Sequence, residues 1–508
     1  MSADKSFARF NWRERATESP DPELELDPTQ IEAVYRQYLR NNQTDTFKRL
    51  PNPYGIEALG DAMSADGSHL AVTTEENLTD EAPCDTGSTP CVYESLDHGF
   101  TWRLVSILPG GAAEGRMIGM SEDGSRIYFR SGPDIYVRVD GSSTTQVPGG
   151  AGTTVAAIEG PAGSRVLLRT SESLLSADED AETDLYLWDS AAPEGERLTL
   201  VSEGDVPGVE ASFASPGAFP SGVLAYREDQ FNSHGLDRGF FVANNQVLAG
   251  EPDAPGQKIY AWEAGDGQPH LSYVATVNNL NDARTSPDGR FLVLASTDRL
   301  TAYDNEGVQE VYRYDQGTKR LACVSCDPEG RKQTRESRLS YISPQEGAFG
   351  IGHELRNVDD KGDVFFESLE GLVNHDSNGV ADVYEYEEGL PHLLSKGTGP
   401  HQSRFGDASV SGNDVFILTD DQLVGWDVDR SYDVYDARVG GGLPEPPPPG
   451  IPCEGDSCQP VPNPPNDPTP ASENFHGAGN VKPKKKKHHR HHHRKKHHGK
   501  KHSTKKNG

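Results

Sequence analysis

The chain contains no run of 18 apolar residues, so no segment reads as a membrane-spanning helix. Helical periodicity is nearly absent from residue 56 to residue 440, which excludes a parallel α/β fold. There is no G-x-S-x-G, no H-E-x-x-H and no P-loop. No catalytic residue can therefore be named, and a non-enzyme is the preferred reading. Methionine is scarce, at 4 of 508 residues, while glycine numbers 53; that balance suits a turn-rich β protein. Met1 to Phe10 lacks the apolar centre of a signal peptide.

Cysteine is also sparse, but its placement is informative. The six cysteines fall into three close pairs, Cys84/Cys91, Cys323/Cys326 and Cys453/Cys458. Local pairs in even number are expected of an exported protein with small disulfide loops. The two clues oppose each other. The expectation is an extracellular or cell-envelope protein whose leader is not visible in this chain.

Charge is divided unevenly. The net charge is −31, yet Val481 to Gly508 holds 11 Lys, 2 Arg, 8 His and no acid, which leaves −44 on residues 1–480. An acidic body and a basic tail are separate objects. Four parts follow. Residues 1–55 are an N-terminal segment, 56–440 a repeat domain, 441–480 a Pro-rich linker and 481–508 a disordered Lys/His tail.

The repeat is an apolar-Tyr pair whose Tyr stands twelve residues after a Leu. It occurs at Leu174/Tyr186, Leu248/Tyr260, Leu300/Tyr312, Leu372/Tyr384 and Leu423/Tyr435. Four copies place an Asp four residues after the Leu: Asp178, Asp304, Asp376 and Asp427. Tyr93 and Tyr136 mark two shorter units. Each unit opens with a Ser-x-Asp-Gly type of hairpin turn, as at Ser64, Ser121 and Ser286, followed by an apolar strand such as Phe291 to Leu294. Four strands per unit of roughly 50 residues predict an all-β fold, a β-propeller of about seven four-stranded blades, with six or eight left open.

The last unit stops after its third strand at Tyr435. Thr46 to Leu50 is a candidate for the missing outer strand, closing the ring. Before it, Asp27-Pro28-Thr29-Gln30 resembles a helix start, and Ile31, Val34, Tyr35, Tyr38 and Leu39 follow helical spacing. Asp27 to Tyr35 also matches the Asp-to-Tyr spacing of the repeat. The helix is the first expectation; a strand would allow an eighth blade.

Ser286 to Leu294 (Ser-Pro-Asp-Gly-Arg-Phe-Leu-Val-Leu) resembles TolB-type and WD-like propeller repeats. Ser95, Asp97, Gly99, Thr101 and Trp102 form the pattern S-x-D-x-G-x-T-W, which resembles the Asp-box of sialidase-like propellers. That resemblance implies a structural fastener without catalysis. Residues 323–328 and 433–442 also resemble exported actinobacterial propeller proteins.

The loops before the Tyr strands carry the candidate ligands. Asp376/Asn378/Asp382, Asp427/Asp429/Asp433, Asp178/Asp180/Asp184 and Asp304/Glu306/Glu310 share positions 1, 3 and 7. Alternating oxygen ligands suit calcium, although the EF-hand glycine and closing glutamate are missing. Asp and Asn also simply suit turns. Cys323-x-x-Cys326 has no second zinc-ribbon pair, so a structural disulfide is expected. In a propeller these acidic loops share one face, which would draw cations or a basic partner. The tail would meet an anionic envelope polymer, with no specific nucleic acid recognition because it has no aromatic residue. The expectation is a monomeric, non-catalytic binding or structural module. A sialidase-like glycan hydrolase and a TolB-like component of an envelope complex are the alternatives.

Overall fold

The computed structural model describes residues 7–14, 34–44, 46–51, 62–80, 89–179, 181–204, 211–212, 234–244, 246–265, 269–340, 355–442 and 444. Apart from residues 441, 442 and 444, the expected linker and the tail lie outside them. Within them the chain is all-β: eight antiparallel sheets in chain order, six of four strands and two of three, plus a two-stranded hairpin at Ile107–Leu108 and Gly111–Ala112. The sheets are those of a β-propeller. The seven Tyr-bearing units each form one sheet. The eighth sheet is an addition at the N-terminus.

Each sheet is built from neighbours in sequence. In the sixth, Leu280–Thr285, Phe291–Ser296, Glu310–Asp315 and Arg320–Cys323 pair in that order. Its second strand, Phe-Leu-Val-Leu-Ala-Ser, is buried at every position. Alternation explains why: odd and even residues face different neighbours. Leu292, Leu294 and Tyr312 pack with Phe240, Val242 and Ile259 of the fifth sheet. Val293, Ala295 and Val311 pack with Val364, Phe366 and Tyr384 of the seventh. The core is thus a series of sheet-on-sheet layers.

A second device links the sheets through their first turns. Ala65 N–H donates to the Glu122 carbonyl, Glu122 N–H to Gly160, Gly160 N–H to His234 and His234 N–H to Pro287, at 2.7 to 2.9 Å. Pro287 has no N–H to continue the series. Asp288 N–H replaces it, donating to Asp360 Oδ1 at 2.8 Å. Within these turns Ser64, Ser121 and Ser286 each donate to the Asp two residues on, at 2.5 to 2.7 Å. The same Ser Oγ accepts the N–H five residues on, at 2.9 to 3.0 Å.

Two expectations for the N-terminal segment are corrected. Val34–Asn41 is a strand, paired on one side with Phe7–Glu14 and on the other with Thr46–Arg49. Tyr38 and Leu39 are both 2% exposed although they are adjacent. A strand covered on both faces buries neighbouring residues, and its apolar set then mimics a helical stripe. Thr46–Arg49 belongs to this sheet and does not complete the last one. Asn41 Oδ1 accepts the N–H groups of Gln43 and Thr44, at 2.9 and 3.2 Å, and turns the chain straight back. A hairpin closed over a few residues outcompetes a pairing across nearly 400.

The last sheet, Ser403–Ala408, Asp414–Thr419 and Asp433–Arg438, keeps three strands. Val434 is 65% exposed, whereas Val383, at the same place in the seventh sheet, is fully buried. The first sheet covers the second: Leu39 and Leu50 pack on Leu70, with Met63 and Trp102 alongside. Leu39→Ala should cost about 2–5 kcal/mol, read from chemical denaturation. An unchanged midpoint would show that this contact contributes nothing to the domain.

Candidate functional site

The acidic loops join the second strand of each sheet to the third, so their geometry begins at the Tyr. The Tyr186, Tyr260, Tyr312 and Tyr384 rings are buried between sheets. A buried hydroxyl needs partners. Tyr384 OH donates to Asp376 Oδ2 and accepts Leu372 N–H at 3.2 Å. Tyr186 does the same with Asp178 and with Leu174 N–H at 3.3 Å. Tyr435 donates to Asp427. Tyr260 uses Glu251 at 2.6 Å and Val247 N–H at 2.9 Å. Tyr312 donates to the Asp298 carbonyl at 2.9 Å. The Leu, Asp and Tyr of the repeat therefore form one local hydrogen-bonded unit. Burial, then the carboxylate partner, drives the Tyr186 and Tyr384 phenols far above their ordinary range, and raises Tyr435 to about 12.

In three of the loops the seventh position meets a serine from beyond the fourth strand. Ser202 Oγ donates to Asp184 at 2.6 Å, Ser395 to Asp382 at 2.5 Å and Ser325 to Glu310 at 2.5 Å. Each serine also accepts the N–H of the residue after that acid, at 2.8 to 3.0 Å. These serines were not singled out in the sequence. Their signal is an apolar-Ser pair after the fourth strand: Val105-Ser106, Val201-Ser202, Val324-Ser325 and Leu394-Ser395.

The four candidate sets are placed differently. In Asp376/Asn378/Asp382, Asn378 Nδ2 donates to Asp382 Oδ2 at 2.8 Å and its Oδ1 accepts Val380 N–H at 3.0 Å. Asp376 and Asp382 are engaged by Tyr384 and Ser395. Asp178 and Asp184 are engaged likewise by Tyr186 and Ser202; Asp180 lies outside the described residues. Asp304 faces Arg299 at 3.7 Å, Glu306 pairs with Lys332, and Glu310 turns inward against the Cys323–Cys326 disulfide. Burial raises the Glu310 carboxyl to about 8. In Asp427/Asp429/Asp433, one carboxylate oxygen from each residue lies within 4.8 Å of the others. Burial, then the like charges of Asp427, Asp429 and Asp420, raises the Asp433 carboxyl.

These loops share their face with the sheet-to-sheet connections. Glu370 accepts Thr334 N–H at 2.9 Å and Arg335 N–H at 3.2 Å. A cleft of about 660 Å³ lies there between the sixth and seventh sheets, bounded by Thr297, Val308, Arg335 and Leu369. The opposite, turn-bearing face is acidic too. Burial, then Glu387, Asp363 and Asp359, raises Glu385 to about 7.

The described residues among the remaining candidates are engaged with one another. Asp97 Oδ1 accepts the N–H groups of Phe100 and Thr101 at 3.1 and 2.8 Å, and its Oδ2 accepts Thr101 Oγ1 at 2.7 Å. Ser95 Oγ donates to Asp97 at 2.8 Å and accepts Gly99 N–H at 2.8 Å; Gly99 adopts a φ of +85°. Trp102 packs with Val72, Tyr93 and Leu104. Cys323 and Cys326 are bonded. Cys91 is disulfide-bonded as well. Cys84, Cys453 and Cys458 lie outside the described residues.

No family model matches this chain, and no curated protein matches it. Solved structures do. Porphyromonas gingivalis dipeptidyl peptidase 4 is 12% identical over 76% of this chain, with a TM-score of 0.40. The match takes in 54% of that peptidase, so the chain spans about half its length. The β-propeller domain of the Trilobed protease from Pyrococcus furiosus, described as having an open velcro topology, is 11% identical (86% of this chain, 93% of that one, TM-score 0.31). A TolB from Agrobacterium tumefaciens is 13% identical (58% and 84%, TM-score 0.25).

Two predictions follow from the site. Tyr384→Phe strands Asp376 and Leu372 N–H and should cost about 1–3 kcal/mol. Combining it with Asp376→Ala should cost clearly less than the sum of the two, and strict additivity in denaturation would refute the coupling. Glu385 holds its proton more tightly folded than unfolded. Its contribution is therefore complete below the unfolded value of 4.5 and is lost as pH rises through about 7. Glu385→Gln should flatten the fall in melting midpoint across that window; an unchanged pH profile would contradict this.

Proposed function

We propose that the chain is a non-catalytic binding module of the cell exterior or envelope, working through the loop face of its last sheet. One observation carries this reading. In the fourth and seventh sheets the loop carboxylates Asp178, Asp184, Asp376 and Asp382 close on their own Tyr and Ser, whereas the last loop, beside its Tyr bond, brings Asp427, Asp429 and Asp433 together within 4.8 Å at a half-exposed to exposed surface. Trp426, Val428 and Tyr432 flank them, 41%, 86% and 51% exposed. Carboxylates interspersed with exposed aromatic and aliphatic groups suit a basic partner that brings both charge and apolar stem. The basic tail would in turn hold the protein to an anionic polymer.

Calcium belongs to the same proposal, at this loop alone. Asp427 Oδ2 is occupied by Tyr435, its Oδ1 accepts Asp429 N–H at 3.3 Å, and Asp429 Oδ1 accepts Ser431 N–H at 2.7 Å, so a cation would share these oxygens and add those of Asp433 and solvent.

The test is a melting scan of the full chain at low ionic strength, with calcium, with a chelator and with an oligolysine peptide. Oligolysine, calcium or both should raise the midpoint, and added salt should weaken the oligolysine effect. Asp427→Asn with Asp429→Asn should remove the response. Midpoints indifferent to both ligands would overturn the proposal; a response to oligolysine alone would remove calcium from it.

A further inference from the structure

We propose that Cys323, Cys326 and Glu310 form a redox-gated site for a thiophilic divalent cation, zinc above all, which opens when the disulfide is reduced. One carboxylate oxygen of Glu310 and the two sulfurs lie within 4.8 Å of one another. Glu310 is 0% exposed. Its Oε2 accepts Ser325 Oγ at 2.5 Å, whereas its Oε1 has no hydrogen-bond partner. A buried polar oxygen without a partner is an unmet demand for a ligand.

The fold holds the three residues in place. Glu310 opens the third strand of the sixth sheet, and Cys323 closes the fourth, opposite Tyr312. Cys326 follows in the turn, after Val324 N–H has bonded the Val311 carbonyl at 2.9 Å. Ligand atoms around one zinc sit roughly 3–4 Å apart. Small side-chain rotations reach that spacing once the sulfurs are free. Among the described residues no other sheet has this combination. Asp382, at the equivalent position, has both oxygens engaged, by Ser395 and by Asn378. Both cysteines are partly exposed, so a reductant and a metal can reach them.

The chemistry balances with a small thiol as reductant. Two thiols give two electrons and two protons to the Cys323–Cys326 bond, leaving two cysteine thiols and one new external disulfide. The metal then displaces the two thiol protons and the Glu310 carboxyl proton, which pass to solvent, and binds two thiolates and the Glu310 carboxylate, with solvent as the fourth ligand. Bound metal blocks reoxidation.

The experiment uses the full chain, reduced with a phosphine without oxygen. Cobalt(II) should give a thiolate charge-transfer band that the His-rich tail cannot produce. C323S and C326S should each lose it relative to wild type, and Glu310→Gln should weaken cobalt binding at least tenfold. Peptide-resolved alkylation of the reduced wild-type chain provides a second reading. Zinc should slow modification of Cys323 and Cys326 at least tenfold, and more than that of the other cysteines. A band unaffected by C326S, or equal alkylation with and without zinc, would overturn the site. Wild-type affinity in Glu310→Gln would overturn the role of the carboxyl.

Discussion

A buried tyrosine hydroxyl sets the terms for most of this structure. Each inner sheet is covered on both faces, so its third strand must be apolar, and a Tyr supplies a large ring there. The ring carries an oxygen that burial forbids to go unpaired. It emerges at the end of the strand, where the preceding loop can reach it. The Leu amide twelve residues back gives one hydrogen bond, and the Asp eight residues back takes another. Repeat spacing is the trace of that demand. Where the Asp is replaced or faces elsewhere, the demand persists: Tyr260, with Pro252 at that position, finds Glu251, and Tyr312, whose Asp304 faces Arg299, finds the Asp298 backbone carbonyl.

The same logic secures the rest of each sheet. The residue before the apolar-Tyr pair is acidic in the fourth, sixth and seventh sheets, and a serine from beyond the fourth strand meets it. On the other face the Ser-x-Asp turns are closed by their own side chains, leaving one backbone amide and carbonyl free. Those groups bond from sheet to sheet until Pro287 interrupts them, and the Asp360 carboxylate makes the next link. Lateral apolar layers supply the bulk of the packing. The polar fasteners at the two ends fix register and keep each loop's backbone satisfied.

This explains what the sequence made legible. The Tyr strands, the Asp-Gly turns and the doubly apolar second strands are local chemistry with fixed offsets, so seven sheets could be located. The first sheet was obscured because a strand buried on both faces has no alternation to read; Tyr38 and Leu39 are adjacent and equally buried. The expected outer strand at Thr46 failed because its true partner lies within one tight turn. The acidic loops were visible as a pattern, but not the purpose of each carboxylate. Asp376 and Asp427 look alike in sequence, and both bond a Tyr. Among the described residues, only the loop around Asp427 also brings three carboxylates together. The proximity of Glu310 to a Cys pair depends on the register of two strands, which spacing along one chain does not display.

The two three-stranded sheets lie at the ends of the array, and their positions differ in consequence. The first packs Leu39 and Leu50 onto the second sheet and so covers its outer face. The last packs Phe405, Val415 and Ile417 onto the seventh, but its own far side leaves Phe416 and Val434 exposed where Phe365 and Val383 are buried. In a stacked array each unit draws stability from its neighbours, so a sheet covered on one side has the smaller share. The convergent carboxylates of Asp427, Asp429 and Asp433 sit on that sheet. Like charges held together there reduce its stability further, and a cation or basic partner, as proposed above, would relieve that repulsion. A ligand stabilises whatever its bound state holds together and the free state does not. The last sheet therefore has the most to gain from binding, and it is also where the loop face leaves carboxylates and aromatic rings open to solvent.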